Sequence, residues 1–203
     1  MNKPQRIGVF GGTFDPVHNT HLAIARAARD NAGLDRVLLV VSARPPHKSA
    51  GPVASPEDRY AMVETAAADE PGAEPCRLEL DREGPSYTVD TVAQIADIYD
   101  GAELFLILGH DALADFPRWR DPEGILAKAR LLVVPRPGEQ DIPAALKEHV
   151  QLLPFECNSL SSTEVRERIA EGRSIDGVVP PAVARLIFER GIYDASPGNP
   201  AGR

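Results

Sequence analysis

The sequence predicts an α/β fold, a doubly wound parallel sheet with helices on both faces and a small C-terminal helical portion. Three observations predict it. Residues 37–41, 104–108 and 131–134 are unbroken runs of valine, leucine, isoleucine and phenylalanine, the pattern of strands covered on both faces. Segments with helix-start signals alternate with these runs, and alternation of this kind implies right-handed crossovers and a parallel sheet. At 203 residues and 43% hydrophobic, the chain can bury a substantial core.

In chain order, residues 6–10 read as a short buried strand and about 16–30 as a helix stopped by Gly33. A strand at 36–41 follows. The next helix has a clear start, with Ser55 as N-cap, Pro56 at the first position and Asp58 near the third. Residues 76–81 read as a strand and 86–99 as a helix. The strand 104–108 ends at Gly109, Asp121-Pro122 caps a short helix, and 131–134 is a further strand. A weaker helix near 142–148, a last strand at 150–154 and helices from about Ser161 and over 180–190 complete the order. One domain over 1–194 is expected, its C-terminal helical part covering about 159–194, with a tail at 195–203 of disordered composition.

Composition narrows the classes of function. No apolar run approaches the ~20 residues of a membrane span, and the first residues lack the apolar core of a secretion signal. Two cysteines, Cys76 and Cys157, fit a reducing cytoplasm better than a disulfide framework; buried, inert thiols are the simplest reading of both. The formal net charge of −8 argues against nucleic acid or an anionic membrane as partner, though it leaves room for a local basic pocket. The helical surfaces show no clear interface stripe, so the oligomeric state is not specified.

The most informative segment is Gly8-Val-Phe-Gly-Gly-Thr-Phe-Asp-Pro-Val-His-Asn-Thr-His21. It passes from a strand through two glycines into a helix that opens with His18 and His21. An i, i+3 pair shares a helix face, and unpaired N–H groups with a positive dipole end favour an anion there. Gly11 and Gly12 let backbone approach a phosphate. The local reading is a phosphate cradle with two imidazoles aimed into it. A second cradle candidate is Leu160-Ser-Ser-Thr-Glu-Val-Arg166, where Ser161 and Glu164 have capping-box spacing and Ser162 and Arg166 share a face; an ordinary capped amphipathic helix is the alternative. Arg44-Pro-Pro-His-Lys48 is a stiff basic loop whose His47 and Lys48 could reach phosphates or simply be solvated. In Gly109-His-Asp111 a carboxylate follows a strand end, where it could accept from a ribose hydroxyl. Trp119 is the sole tryptophan, and packing is its default role.

These strings resemble a known family. The glycine–histidine segment is similar to the (H/T)-x-G-H motif of the nucleotidyltransferase superfamily, in the form of the bacterial nicotinate-nucleotide adenylyltransferases. Residues 160–166 resemble that family's I-S-S-T-x-x-R, with leucine first. Residues 44–48 resemble its P-P-H-K/R element, and Ser86-Tyr-Thr-Val-Asp-Thr91 its S-Y-T-x-D-T. The resemblance spans Gly8 to about Tyr193. It departs at Thr20, where glycine is usual, and at His110, where alanine is usual.

The resemblance implies a Rossmann-like fold and transfer of AMP from ATP to nicotinate mononucleotide, giving nicotinate adenine dinucleotide and pyrophosphate. It implies His18, His21 and Arg166 as catalytic. ATP would be bound by Gly11, Gly12, Thr13, Phe14, His18, His21, Lys48, Gly109, Asp111, Ser162, Thr163 and Arg166. Nicotinate mononucleotide would meet Thr13, Phe14, His47, Lys48, Tyr87, Thr88 and Trp119, the tryptophan lying against the pyridine ring. Mg²⁺ is expected as a companion of the ATP phosphates, with no carboxylate cage in the protein. Other readings are nicotinamide mononucleotide or 4′-phosphopantetheine as acceptor, and a nucleotide-binding regulator that has lost catalysis.

Overall fold

The apolar runs form the centre of a six-stranded, all-parallel sheet in a computed structural model that describes residues 3–44, 52–135, 142–155 and 160–193. The strands are β1 (Arg6–Gly12), β2 (Arg36–Val41), β3 (Ala73–Cys76), β4 (Glu103–Gly109), β5 (Ala129–Val134) and β6 (Val150–Leu152). Their order is β3-β2-β1-β4-β5-β6. The chain winds outward from β1 to one edge, returns to the middle, and winds outward again from β4. The β1/β4 seam is therefore the topological switch point, where ligands of such sheets bind beyond the strand carboxyl ends.

Seven α-helices are described: α1 (Asn19–Ala32), α2 (Pro56–Ala68), α3 (Thr88–Ile98), α4 (His110–Asp115), α5 (Pro122–Leu126), α6 (Ser162–Ala170) and α7 (Pro181–Glu189). Alternation along β4 shows how both sheet faces are covered. Phe105 and Ile107 join a core with Ala28 of α1, Met62 of α2, Val165 of α6 and Val183 of α7. Leu104, Leu106 and Leu108 join a second core with Val92 of α3, Leu113 of α4 and Ile125 of α5. Burial of such a side chain stabilises by about 1.5–3 kcal/mol. Among the described residues no helix is long and apolar enough to cross a membrane.

Several expected boundaries move. The strand expected at 76–81 lies at 73–76, and 78–80 form a turn. The neighbour decides: β3 pairs in register with residues 37–40 of β2 and ends where that pairing ends. Edge position lets β3 carry Pro75, which has no N–H to give a ladder. The helix expected from residue 16 begins at Asn19, because His18 is extended (φ −142°, ψ 171°) and serves as N-cap. The weak helix at 142–148 is a single 3₁₀ turn over Ala144–Leu146, and the last strand is three residues long. α4 was not legible, being too short to display a period. The caps at Ser55, Asp121 and Gly33 are as expected; Ser55 Oγ accepts from the Asp58 N–H at 3.1 Å, and Gly33 is left-handed at φ 60°. The tail at 195–203 lies outside the described residues.

Gly8 lets β1 lie close under its cover. A Cβ there would stand 2.9 Å from Leu34 Cδ1 and 3.1 Å from Ile107 Cδ1. Gly8→Val is expected to destabilise by about 1–3 kcal/mol through overpacking, read as a lower urea midpoint at unchanged m-value. An unchanged midpoint would show that the Leu34 side yields freely.

Candidate active site

At the carboxyl ends of β1 and β4 lies a cleft of about 250 Å³, lined by Gly11, Gly12, Thr13, Ser42, Glu79, Ser86, Thr88, Thr91, Gly109 and Trp119 among others. The first strand is expected to end at residue 10, yet Gly11 and Gly12 are the last residues of β1, paired with Val40 and Val41 of β2. Open space stands where a Cβ of Gly11 or Gly109 would project, leaving their backbone accessible. At Gly12 the reason for glycine is different, since a Cβ would meet the Phe14 ring at 2.9–3.0 Å. Phe14 is 1% exposed, with φ 49°, so its ring is a wedge in the core and not part of the cleft lining. That ring meets the His21 imidazole edge-on at 5.0 Å, and so links the cleft floor to the histidine pair.

The histidines sit one at the N-cap and one three residues into α1, with stacked rings 3.7 Å apart. The His18 backbone N–H donates to His21 Nδ1 at 3.2 Å. A neutral imidazole that accepts at Nδ1 carries its proton on Nε2, which equips His21 as a donor. His18 is 4% exposed, and burial lowers its pKa to about 4, against the opposing field of Glu164. It is neutral near pH 7, and its Nδ1 is buried without a partner. Thr20 is buried at 5% exposure, so its side chain is packed inside the protein and does not stand above the helix end.

The second expected cradle meets the first. Ser162 Oγ donates to the Pro16 carbonyl at 2.9 Å, and Arg166 Nη1 donates to the Asp15 carbonyl at 2.6 Å. Arg166 Nη2 donates to Thr163 Oγ1 at 3.2 Å. Only half of the capping box forms. Ser161 Oγ accepts from the Glu164 N–H, but the Glu164 carboxylate accepts from Arg168 one turn on. Tyr87 is the N-cap of α3, its ring 4.6 Å from the Arg120 guanidinium, while its neighbour Thr88 lines the cleft. Trp119 lies on the cleft wall, tilted against Phe116 at 5.4 Å. Asp111 is exposed in the first turn of α4, with His110 half-buried before it. His47, Lys48 and Cys157 lie outside the described residues. Arg44 and Ser86 are tied by a pair of bonds, Ser86 N–H to the Arg44 carbonyl and the Arg44 N–H to Ser86 Oγ.

Four residues with a part in this architecture were not singled out from sequence. Asp15, 4% exposed, accepts at Oδ1 from the Tyr193 hydroxyl (2.8 Å) and the Ala54 N–H (3.1 Å), and at Oδ2 from the Val53 N–H (2.8 Å). Burial, then the charge of Asp15, raises the Tyr193 pKa far above its usual value, keeping the phenol a donor. Arg59 is wholly buried and donates from Nη1 to the carbonyls of Thr13 (2.8 Å) and Ser42 (2.7 Å). Its desolvation lowers its pKa, opposed by Asp15 and Tyr193. A signal existed: Arg59 lies at helical spacing with Met62, Val63 and Ala66, an arginine on an apolar stripe. The fourth is Glu79, buried in the cleft wall.

A family model described as cytidylyltransferase-like matches residues 9–168, and the chain belongs to that family. It is 44% identical to a protein of Gloeobacter violaceus over 96% of this chain and 98% of the relative. It is 46% identical to one of Thermus thermophilus over 93% and 99%. Both relatives carry the name "Probable nicotinate-nucleotide adenylyltransferase", and within the wider family the chain belongs with these nucleotidyltransferases. The solved Plasmodium falciparum nicotinic acid mononucleotide adenylyltransferase complexed with NaAD matches at a TM-score of 0.73, covering 94% of this chain and 98% of that one. At 17% identity that likeness concerns the fold, which is the expected Rossmann-like one.

The buried His18 predicts a pH dependence of stability. Its folded pKa of about 4 lies below the ordinary imidazole value of 6.5, so between these values the unfolded chain binds more protons. Stability therefore falls as pH drops from about 6.5 to 4, by on the order of 3 kcal/mol in total. His18→Asn should flatten that slope in urea titrations between pH 4 and 7. An unchanged slope would assign it to other groups.

Proposed function

We propose that this chain catalyses attack of the nicotinate mononucleotide phosphate on the α-phosphorus of ATP, forming nicotinate adenine dinucleotide and releasing pyrophosphate in NAD biosynthesis, in the cytoplasm. The observation that supports it most is the meeting of two helix N-termini, α1 with its stacked histidines and α6 with Ser162 and Arg166, beside a cleft at the sheet's switch point. The names of the relatives describe adenylyl transfer and a nicotinate nucleotide.

The chemistry needs little from side chains beyond placement and charge. The attacking phosphate oxygen is ionised at neutral pH, so no general base is required, and direct attack needs no protein nucleophile. Catalysis reduces to alignment and stabilisation of charge at the α-phosphorus. His21, its Nδ1 occupied by the His18 N–H, is read as the Nε2–H donor to the α-phosphate. His18, neutral, is read as a support that stacks on His21 and lies beside the neighbouring phosphates. Arg166, with Ser162 and Thr163, is read as the holder of the leaving pyrophosphate, and Gly11, Gly12, Thr13, Gly109 and Asp111 as the ATP cradle. Thr88 and Trp119 are read as the wall against the pyridine ring. His47 and Lys48 are kept as proposed phosphate contacts. Mg²⁺, carried on the ATP phosphates, would supply further charge neutralisation there; among the described residues no three His, Cys, Asp or Glu side chains are grouped to hold a metal.

Pyrophosphate release from ATP that depends on added nicotinate mononucleotide is the direct test, with nicotinamide mononucleotide run in parallel to rank the acceptors. ATP-binding without release in either mixture would leave the regulator reading in place. His21→Ala is expected to lower kcat by roughly 10²-fold or more, as loss of one transition-state donor does, with unfolding little changed; near-normal turnover would sink the donor role. Trp119→Ala should raise KM for the mononucleotide more than KM for ATP. Equal rises would count against ring contact.

A further inference from the structure

Glu79 is 6% exposed and lines the cleft together with Thr88, Thr91 and Trp119. The Thr91 hydroxyl donates to its Oε1 at 2.7 Å. Thr91 in turn accepts from Arg82 Nη2 at 3.1 Å, and Arg82 Nη1 donates to Gln94 at 2.9 Å. Glu79 is thereby held in place from α3. Its Oε2 is buried and has no hydrogen-bond partner. The terminal torsion of a glutamate is broad and two-fold, so whichever oxygen Thr91 holds, one acceptor is left over. Buried polar atoms of native proteins are nearly always satisfied, and an unsatisfied one costs about 1–3 kcal/mol. An orphan acceptor on a cleft wall is best explained by a ligand that satisfies it.

The chemistry of the ligand selects the group. A carboxylate accepts hydrogen bonds and cannot donate. In nicotinate mononucleotide the ring carboxylate and the ionised phosphate also only accept, and the pyridinium nitrogen bears no proton. The ribose hydroxyls are its donors. Resting on the reading of the acceptor given above, we propose that Glu79 is a specificity residue that accepts a hydrogen bond from a ribose hydroxyl of the mononucleotide. Thr91 and Arg82 are positioning residues that orient its carboxylate. The contact places the sugar on the same wall as Trp119, and it selects a pyridine nucleotide with an intact ribose over its deoxy counterpart.

The test couples an enzyme group to a ligand group. Steady-state kcat/KM is measured for the unaltered chain, Glu79→Leu and Glu79→Gln, each with nicotinate mononucleotide and with its 2′-deoxy and 3′-deoxy analogues. One analogue should cost the unaltered chain roughly 10- to 100-fold, the range of a hydrogen bond to a charged group. The same analogue should cost Glu79→Leu nothing further, while KM for ATP stays within about twofold. Glu79→Gln, which keeps one acceptor oxygen, should recover part of the discrimination and is the informative variant should the leucine fail to fold. Equal penalties for both analogues in the unaltered chain and in Glu79→Gln and Glu79→Leu would overturn the contact. Failure of the unaltered chain to use nicotinate mononucleotide at all would instead overturn the parent reading of the acceptor.

Discussion

The carboxylate of Asp15 is the interaction on which the rest of the site depends. It receives a phenol from residue 193 and two backbone N–H groups from residues 53 and 54, while its own carbonyl receives Arg166. Segments separated by as many as 178 positions therefore converge on one residue of the loop after β1. A buried charge is tolerable only when it is hydrogen-bonded and paired. The need to satisfy Asp15 thus draws α6, the end of the chain and the approach to α2 onto the same loop. Arg59 does the complementary task from α2, holding the carbonyls at the ends of β1 and β2 with one nitrogen. Between them the two buried charges tie the loop after β1 to α2, α6 and residue 193.

An acidic chain with a formal charge of −8 is an unpromising host for two phosphate-rich substrates. The fold answers with local fields. Two helix N-termini, each the positive end of its helix dipole, and one half-buried arginine meet beside Asp15 and Pro16. The histidine pair is not a pair of cations. Burial keeps His18 neutral, and the bond from its backbone to Nδ1 assigns the His21 proton to Nε2. Their contribution to the proposed chemistry is a directed hydrogen bond, which suits a transition state whose charge moves without a net proton transfer.

Much of the fold and part of the site are determined by sequence alone. Unbroken apolar runs identify buried parallel strands because such strands show no polar face. Ser55, Asp121 and Gly33 mark helix ends because orphan backbone groups need those residue types there. The glycine–histidine string and residues 160–166 identify the family because their chemistry is local and contiguous. Tertiary structure decided the rest. β3 stops at Cys76 because its neighbour sets the length of the ladder, and the following turn buries Glu79, whose alternating surroundings read as strand. The Phe14 ring is seated in the core because Gly12 provides room for it. Asp15, Arg59, Tyr193 and Glu79 act through partners far away in the chain, and no local pattern records which distant atom will satisfy a buried charge.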